Sequence, residues 1–373
     1  MSEDTLFPPG RLAIAQSRCA QAGLDALLVT PGPDLRYLTG YEATPLERLT
    51  CLVLPREADP VLVVPELEAP AARAAPVGGW PVEVRTWQET EDPYTLVASL
   101  VPADAGRVGL DDRMWAAKAM GLRHAMPGVA QELAGPVLHP MRMHKTPAEI
   151  AELARAAEAI DRVHAQMSQW LRPGRTERQV GHDIAEAILA QGHVRVDFVI
   201  VGSGPNGASP HHELSDRVIA PGDPVVVDIG GTTLGGYASD CTRTYVAGAG
   251  APAEFRALYR VLLQAQRAAC ELAGPGVTAE QVDAAARSVI TQAGYGAFFV
   301  HRTGHGIGLE THEEPYIVAG SHRVLAPGMA FSVEPGIYLP GRYGARIEDI
   351  LVVTGTGAER LNVRPRELAV LEA

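Results

Sequence analysis

One phrase occurs twice in this chain, and its repetition constrains the fold more than any other feature of the sequence. Arg217-Val-Ile-Ala-Pro-Gly continues through an apolar stretch to Asp228, and Arg323-Val-Leu-Ala-Pro-Gly continues in the same way to Glu334. Each acid lies at the same distance from its arginine and directly follows a valine. Two copies of one unit, each with a carboxylate at the end of an apolar strand, predict a duplicated fold with an acidic site on its pseudo-twofold axis. Such a site is suited to metal ions.

A second pair of phrases extends the duplication. Pro173-Gly-Arg-Thr-Glu-Arg-Gln-Val and Pro275-Gly-Val-Thr-Ala-Glu-Gln-Val each follow a helical pattern, and Thr176 and Thr278 are predicted to cap the start of another helix. In each half, strands then lead to the Arg-Val-x-Ala-Pro-Gly phrase. The period is longer than that of solenoid repeats, so we expect two pseudo-symmetric halves within one domain.

Residues 1–140 are predicted to form a separate, smaller α/β domain. Helical periodicity over residues 11–22 is followed by short apolar runs at 26–30, 50–54 and 60–64, the last two in a hairpin-like pattern. This part of the sequence contains no strong chemical motif.

The second predicted domain, residues 147–373, contains the duplication. It begins with a long helix, which we expect from residue 148 to about residue 171. The predicted fold class is therefore α+β, with a pseudo-twofold C-terminal domain preceded by the smaller α/β domain. In the first domain, we expect the segment from Asp34 to Arg48 to be a charged loop.

The composition excludes several classes of protein. The chain has 373 residues, a formal net charge of -12 and no basic run, so neither nucleic acid nor an anionic membrane is expected as a partner. Its four cysteines are scattered, which fits neither a disulfide scaffold nor a zinc–thiolate site. The N-terminus lacks the apolar core of a signal peptide, and no stretch approaches the ~20 apolar residues of a membrane helix. We therefore expect a cytoplasmic protein.

Each half offers a second acid beyond the first. Glycine-containing segments separate Asp228 from Asp240 and Glu334 from Glu348, and His305 lies between the halves with a glycine on each side. Four carboxylates at strand ends repel one another unless some are protonated or cations bind. Carboxylates with one imidazole suit divalent ions such as Mn²⁺, Co²⁺ or Zn²⁺, and four acids can supply ligands to two such ions.

The sequence around these five residues resembles the metal-binding pattern of the pita-bread metallopeptidases, which include methionine aminopeptidase, aminopeptidase P and prolidase. The similar motifs are Gly-Tyr-x-Ser-Asp-x-Thr-Arg-Thr at 236–244, Gly-His-Gly-Ile-Gly-Leu-Glu-x-His-Glu at 304–313, Val-Glu-Pro-Gly-Ile-Tyr at 333–338 and Arg-Ile-Glu-Asp at 346–349. The phrase Lys145-Thr-Pro-x-Glu-Ile and the N-terminal domain are similar to those of the prolidase and aminopeptidase P branch. The resemblance implies a pita-bread domain of the creatinase/aminopeptidase type after a creatinase-type N-terminal domain.

The resemblance also implies a role for each of the five residues. Asp228 would chelate one divalent ion, and His305 and Glu334 would bind a second. Asp240 and Glu348 would bridge the two ions. Mn²⁺ or Co²⁺ is the expected metal and Zn²⁺ is the alternative, because all three fit this ligand set.

Further side chains are implied around the ligands. His211 and His312 are expected catalytic residues that donate hydrogen bonds to the substrate or to the tetrahedral intermediate. His301 is expected either to contact the substrate or to support the ligands, whereas His212 is expected to have no direct role. For Arg346 we expect an ion pair with the bridging carboxylates, with a place in the pocket wall as the alternative.

The implied reaction is hydrolysis of the peptide bond before a proline in the second position of a small peptide. A hydroxide that bridges two metal ions would attack the carbonyl carbon, and Glu334 would carry the water proton to the proline nitrogen. We expect an Xaa-Pro dipeptidase (prolidase), with an Xaa-Pro aminopeptidase (aminopeptidase P) acting on longer peptides as the alternative. The family also implies a homodimer, in which residues 34–48 would limit access to the site of the other subunit.

Two alternatives come from other functional classes. A creatinase-like amidinohydrolase shares the fold but works without metal, and a pita-bread binding protein would not be an enzyme. All five ligand positions carry metal-binding residue types here, which argues against both alternatives. The metal content, measured by elemental analysis, would separate either of them from a metallopeptidase.

Overall fold

The computed structural model describes residues 5–8, 10–75, 82–248 and 250–372. The chain divides into two compact units, residues 1–142 and residues 143–373. Each unit has its own sheets and its own buried apolar core. In the described part of the chain, no helix combines the length and the apolar character needed to cross a membrane.

The first unit is built on one mixed sheet. Its strands are β1 (Ala26–Val29), β2 (Cys51–Pro55), β3 (Val61–Pro65), β4 (Glu83–Trp87), β5 (Arg107–Leu110) and β6 (Ala130–Leu133). Its helices are α1 (Arg11–Gln21), α2 (Pro33–Thr39), α3 (Ala69–Ala74), α4 (Pro93–Leu100), α5 (Ala116–Ala125) and α6 (Gly135–Met143). The strand order is β4-β3-β2-β1-β5-β6. The predicted hairpin is confirmed, because β2 and β3 pair antiparallel with Cys51 opposite Val63.

One segment of the first unit differs from its prediction. We expected a loop from Asp34 to Arg48, but the first part of this segment belongs to helix α2. Pro33 occupies the first turn, where its missing N–H has no cost, and Gly40 ends the helix with φ 73°. The buried guanidinium of Arg142 donates a hydrogen bond to the Asp34 carboxylate (2.8 Å). This contact neutralises the charge of Asp34 and fixes the first turn of helix α2.

The second unit contains five helices and eleven strands in its described residues. The helices are α7 (Pro147–Ala165), α8 (Met167–Trp170), α9 (Glu177–Ala190), α10 (Ala253–Leu272) and α11 (Ala279–Gln292). The strands are β7 (His193–Ser203), β8 (Pro224–Thr233), β9 (Cys241–Ala247), β10 (Gly304–Gly306), β11 (Glu313–Ile317), β12 (Ala330–Val333), β13 (Gly336–Leu339), β14 (Tyr343–Arg346), β15 (Asp349–Val353), β16 (Ala358–Arg360) and β17 (Ala369–Leu371). They form sheets of order β17-β9-β8-β7, β11-β10-β12-β15-β16 and β13-β14.

The two halves of this unit repeat one backbone frame. Thr176 and Thr278 are the N-cap residues of α9 and α11, as predicted, and the N–H of each donates to the side chain of the glutamine three residues later (3.0 and 2.8 Å). Thr176 forms an isolated bridge with Val218, and Thr278 forms the equivalent bridge with Val324. The two repeated phrases of each half therefore contact each other in the same way.

The expected long helix at the start of the second unit is two helices. Helix α7 ends at Ala165 and the short α8 follows from Met167 to Trp170. At Gln166 the turn tightens, because its N–H bonds to the Val163 carbonyl three residues back (3.0 Å) rather than four.

Asp228 does not end its strand, contrary to the sequence prediction. Strand β8 continues to Thr233, and Asp228 lies within it, opposite Ile200 of β7 and Thr242 of β9. The glycines that follow belong to the strand, where the lack of a side chain lets neighbouring groups pack closely against the backbone. A Cβ at Gly230 would overlap the ring of Phe198.

The apolar faces of these elements form one core in each half. In the first half, Ile160 of α7 and Ile184 of α9 belong to one buried cluster with Val227 of β8. In the second half, Leu262 of α10 and Phe331 of β12 belong to another. The strands that carry the predicted acids are thus fixed against helices on one face.

Candidate metal centre

All nine residues predicted to form the site line one cavity of about 330 Å³ in the second unit. They are Asp228, Asp240, His305, Glu334, Glu348, His211, His312, His301 and Arg346. Pro210 and Arg302 also line this cavity. Both halves of the unit therefore contribute side chains to the same cavity.

Two antiparallel strand pairs carry the four acids. In the first half, Asp228 lies within β8 and Asp240 directly precedes its partner β9. In the second half, Glu334 directly follows β12 and Glu348 directly precedes its partner β15. Each half thus supplies one acid from each strand of a pair.

Thr242 joins the two halves at the site. Its carbonyl accepts a hydrogen bond from the N–H of Glu348 (3.1 Å), and its hydroxyl donates to the Glu348 carboxylate (2.8 Å). Because Thr242 follows Asp240 by two residues, this contact holds the acids of the two halves beside each other.

The glycines beside His305 are required by the close approach of neighbouring strands. Strand β10 lies between β11 and β12. A Cβ at Gly304 would overlap the carbonyl oxygen of Ser332, and a Cβ at Gly306 would overlap that of Glu314. Glycine at both positions allows the strands to enclose His305, which is only 3% exposed.

The possible ligand atoms converge in overlapping groups. Asp228, Asp240 and Glu348 form one group, His305, Glu334 and Glu348 form a second, and Asp240, His305 and His312 form a third. Within each group the ligand atoms lie within 4.8 Å of one another. The first two groups share Glu348 and together contain all five residues predicted to bind metal.

Two buried carboxylate oxygens of this cluster have no hydrogen-bond partner among the described residues. They are Oδ1 of Asp228 and Oε1 of Glu348. Buried polar atoms are normally paired, because an unpaired one costs free energy. Carboxylates with one imidazole are a suitable ligand set for a divalent ion. The residues present therefore fit bound divalent ions.

Burial and mutual repulsion determine the charges of the acids. Burial, followed by the neighbouring charges of Glu348 and Asp228, raises the pKa of Asp240 well above its ordinary value. Burial, followed by Glu334 and Asp228, raises the pKa of Glu348 in the same way. Burial also opposes ionisation of Glu334, but the hydrogen bond and charge of His305 outweigh it and lower the pKa of Glu334 to about 2. Bound cations would displace the protons that the cluster otherwise retains.

Ser332 and His305 fix the carboxylate of Glu334. The Ser332 hydroxyl donates to Glu334 Oε1 (3.1 Å) and accepts from the N–H of His305 (3.0 Å). His305 Nε2 lies 3.1 Å from Glu334 Oε1 and 3.7 Å from Asp240 Oδ2. His305 Nδ1 lies 3.1 Å from the carbonyl oxygen of Gly306, so Nε2 is the nitrogen that faces the acids.

Arg346 forms an ion pair, but with a partner that differs from the prediction. Its guanidinium contacts Asp228 Oδ2, rather than either of the predicted bridging carboxylates. It also donates to the Tyr338 hydroxyl (2.8 Å) and to the Pro210 carbonyl (3.2 Å). The partner is Asp228 because β14, which ends at Arg346, packs against β8 of the other half.

His211 occupies an exposed position on the wall of the cavity. The residues on either side of it are held in place. The Pro210 carbonyl accepts from Arg346, and His212 Nε2 lies 2.7 Å from Glu177 Oε2. His211 is therefore presented to the cavity by a segment that is fixed on both sides.

His301 is connected to the site through a tyrosine. Its Nε2 lies 2.9 Å from the Tyr338 hydroxyl, which also receives the hydrogen bond from Arg346. Burial raises the pKa of Tyr338 to about 12, so this hydroxyl stays protonated and can donate to His301.

His312 and Arg302 lie together at the cavity. The ring centroids of His312 and His305 are 3.9 Å apart. Partial burial, followed by the charges of His305 and Arg302, lowers the pKa of His312 to about 4. Arg302 Nη2 lies 3.5 Å from His312 Nδ1, and its guanidinium carbon lies 4.4 Å from the centroid of the Tyr316 ring. In the described part of the chain, no carboxylate pairs with Arg302.

Three residues of this region were not selected from the sequence. Arg302 directly follows His301, and Tyr338 ends the Val-Glu-Pro-Gly-Ile-Tyr motif, so both lie next to predicted residues. For Glu177 the available signal was a difference between the repeated phrases, because the second copy has Ala279 at the same place.

Comparison with known proteins assigns both units. The model of "Metallopeptidase family M24" matches residues 151–355, and the model of "Creatinase/Prolidase N-terminal domain" matches residues 11–144. These matches confirm the predicted order of domains, a creatinase-type α/β domain followed by a pita-bread domain.

Similar proteins match over nearly their whole length. The probable dipeptidase PepE of Mycobacterium tuberculosis (strain CDC 1551 / Oshkosh) is 53% identical over 361 residues, covering 97% of this chain and 96% of that protein. The Xaa-Pro dipeptidase of Lactobacillus delbrueckii subsp. lactis is 36% identical over 368 residues, covering 95% of this chain and 97% of that protein. The crystal structure of dipeptidase PepE from Mycobacterium ulcerans matches with a TM-score of 0.92 and 54% identity, covering 97% of each chain.

Proposed function

Since this chain belongs to metallopeptidase family M24, we propose that it hydrolyses Xaa-Pro dipeptides and releases the N-terminal residue and free proline. The observation that carries the proposal is the convergence of two overlapping ligand groups, each with its ligand atoms within 4.8 Å, in one cavity of about 330 Å³. Similarity to an Xaa-Pro dipeptidase supports the same class of substrate, and similarity to the probable dipeptidase PepE supports a dipeptide.

Five residues would hold two divalent ions. They are Asp228, Asp240, His305, Glu334 and Glu348. Mn²⁺ or Co²⁺ is the expected metal and Zn²⁺ the alternative. When bound, the ions would lower the pKa of a water molecule and polarise the carbonyl oxygen of the scissile bond.

Glu334 is the proposed general base and acid. Ser332 and His305 hold its carboxylate in the cluster. There it would accept a proton from the attacking water and deliver it to the proline nitrogen as the C–N bond breaks. His211 and His312, on the cavity wall, would donate hydrogen bonds to the carbonyl oxygen as negative charge develops on it.

The remaining predicted residues would support this arrangement. Arg346 would balance the charge of Asp228, with which it forms its ion pair. His301 would keep Tyr338, and through it Arg346, in place.

Arg302 favours a dipeptide over a longer peptide. It lines the cavity and has no carboxylate partner among the described residues. In a dipeptide the C-terminal carboxylate belongs to the residue that directly follows the scissile bond, so it would enter the cavity and could pair with this guanidinium. A longer peptide has a neutral amide at that place.

The proposal is tested with a substrate panel. Xaa-Pro, Xaa-Yaa and Xaa-Pro-Yaa-Yaa are assayed with Mn²⁺, Co²⁺ or Zn²⁺, and kcat/KM is measured for each combination. We expect the largest kcat/KM for Xaa-Pro. Equal values for Xaa-Pro and Xaa-Pro-Yaa-Yaa would instead favour the aminopeptidase, and a preference for Xaa-Yaa would contradict proline specificity.

Three expectations from the sequence stay predictions. They are the homodimer, the restriction of the partner's site by residues 34–48, and the cytoplasmic location. The first is tested by measuring the molecular mass in solution. The second is tested by measuring the hydrolysis of Xaa-Pro-Yaa-Yaa by variants of that segment.

A further inference from the structure

Glu177 is a fully buried carboxylate that the proposed reaction does not use, with a side chain that is 0% exposed. Its Oε1 accepts from the N–H and the hydroxyl of Ser203 (both 2.7 Å) and from the amide of Asn206 (3.1 Å). Its Oε2 accepts from the Asn206 amide (3.0 Å) and the Ser215 hydroxyl, and lies 2.7 Å from His212 Nε2. Burial opposes ionisation, but these hydrogen bonds outweigh it and lower the pKa of Glu177.

These donors all come from the chain around His211. Ser203 ends β7, Asn206 lies in the turn that follows, and His212 and Ser215 come after His211. One carboxylate therefore ties both ends of the segment 204–215 to the start of helix α9. On the other side of His211, the carbonyl of Pro210 accepts from Arg346.

The second half of the unit supplies an internal comparison. The N–H of Glu177 donates to the Arg217 carbonyl (3.1 Å), and the N–H of Ala279 donates to the Arg323 carbonyl (2.9 Å). Both helices also begin at a threonine whose N–H donates to the side chain of the glutamine three residues later (3.0 and 2.8 Å). The repeated frame thus forms equally well with alanine at this place, so capping the helix does not explain the glutamate.

We propose that Glu177 is a positioning residue for the reaction, whose buried carboxylate holds the segment 204–215 so that His211 faces the substrate. The assignment rests on the proposed function, in which His211 donates a hydrogen bond to the substrate. Glu177 acts through His212 and its other donors and does not itself reach the cavity.

The first test measures the segment and does not depend on activity. Glu177→Gln has nearly the same volume but loses the charge and places an amide N–H₂ among donors. We expect the backbone amides of residues 204–215 to exchange hydrogen roughly 10-fold faster in this variant. The matched control is Glu280→Gln, which removes an acid from the first turn of α11, where Glu280 Oε1 lies 2.8 Å from His322 Nδ1. The control should leave exchange in 204–215 unchanged.

The second test measures whether Glu177 acts through His211. For Xaa-Pro hydrolysis we expect Glu177→Gln to lower kcat/KM by about 10- to 100-fold, since small displacements of a positioned group have effects of this size. In a His211→Ala background the same change should have less than about a twofold effect, because coupled residues are not additive. Metal content and Tm, measured for each variant, identify any loss that comes from unfolding.

The outcomes separate this inference from the proposed function. Unchanged exchange in 204–215, or an equal loss of kcat/KM with and without His211, would overturn the role of Glu177. If the unaltered protein does not hydrolyse Xaa-Pro, the proposed function fails, and positioning of His211 for this reaction fails with it, although the exchange result still reports on the segment. Should Glu177→Gln fail to fold, His212→Gln tests the same link, with faster exchange in 204–215 as the expected result and unchanged exchange as the contrary one.

Discussion

Arg302 shows how a single side chain can decide between two substrates at the same site. Its guanidinium lines the cavity, stacks on Tyr316 and lies beside His312. The nearby Arg346 is already neutralised by Asp228. The charge of Arg302 is therefore the one we expect a substrate carboxylate to meet.

Replacing Arg302 should affect charged and neutral substrates differently. A hydrogen bond to a charged group contributes about 1.5–3 kcal/mol, so we expect Arg302→Gln to raise KM for Xaa-Pro by about 10- to 100-fold. For Xaa-Pro amide, which lacks the carboxylate, KM should change by less than about twofold. Steady-state kinetics with both substrates measure the effect, and Arg302→Lys should restore part of it. Equal changes for the two substrates would mean that Arg302 does not bind the carboxylate.

Replacing Glu334 by glutamine should abolish its proposed proton transfer. Glu334→Gln keeps one oxygen that can face a cation but cannot carry the proton, so we expect kcat to fall by about 10²- to 10⁴-fold. Metal content, measured by elemental analysis, shows how much of the loss comes from weaker binding. Full metal content with undiminished kcat would remove Glu334 from the proposed proton transfer.

Strands and helices were predicted well where the signal is local. The helices that begin at Glu177 and Ala279 could be predicted because capping residues and helical periodicity lie within a few positions of one another. The position of Asp228 within its strand could not be predicted from the sequence. Glycine is typical of turns, whereas in the structure Gly230 pairs with Phe198 of β7 within the sheet, and a Cβ at Gly230 would overlap the Phe198 ring.

The partners of individual side chains were also beyond the sequence. The five possible metal ligands stand in characteristic motifs, and the structure brings them into one cavity. The pairing of Arg346 with Asp228 depends on the contact between β14 and β8, which are far apart in the chain. The same holds for Arg302, because the absence of a carboxylate beside it among the described residues is a property of the folded structure.

His164 links helix α7 to strand β9 and makes the stability of this pair depend on pH. Its ring lies 2.9 Å from the Tyr245 hydroxyl and 3.0 Å from the Cys241 carbonyl. Burial, followed by the charge of Arg243, lowers its pKa from 6.5 to about 3. Below the unfolded pKa the unfolded chain therefore takes up a proton that the folded protein does not, and acid favours unfolding.

The consequence can be measured as a difference in unfolding free energy, between the unaltered protein and a His164 variant, that changes with pH. Unfolding free energies of the unaltered protein and of His164→Gln are measured between pH 7 and pH 4. The unaltered protein should be the more stable at pH 7, and its advantage should shrink by about 1.4 kcal/mol per pH unit below about pH 6. A constant difference would mean that His164 can be protonated in the folded protein.

At the scale of the whole molecule, the duplication places four acids in one cavity, of which Asp228, Asp240 and Glu348 are buried and Glu334 is partly buried. Repulsion among them opposes folding unless protons or cations neutralise it, as the raised pKa values of Asp240 and Glu348 indicate. Divalent ions that bind only the folded protein would therefore stabilise it.

Removing the metal should lower the melting temperature as well as the activity. An ion at 100 times its Kd stabilises the folded state by about 2.7 kcal/mol, which corresponds to roughly 5–10 °C in Tm for a unit of this size. The protein is treated with a chelator, and Tm and Xaa-Pro hydrolysis are followed while Mn²⁺ is added back. An equal concentration of K⁺ serves as the control and should change neither. An unchanged Tm on addition of any divalent ion would contradict a metal site in this cavity.

The predicted ligands are divided between the two halves, so the ligand set is completed late in the synthesis of the chain. Asp228 and Asp240 come from the first half, whereas His305, Glu334 and Glu348 come from the second. During synthesis, a growing chain has the first two residues long before the others, and the set is complete only when residue 348 has been added. Strands β15, β16 and β17 all follow Glu348 in the chain, so they are translated after the last ligand. A chain that ends before residue 348 lacks part of the ligand set and cannot hydrolyse peptides by the proposed reaction.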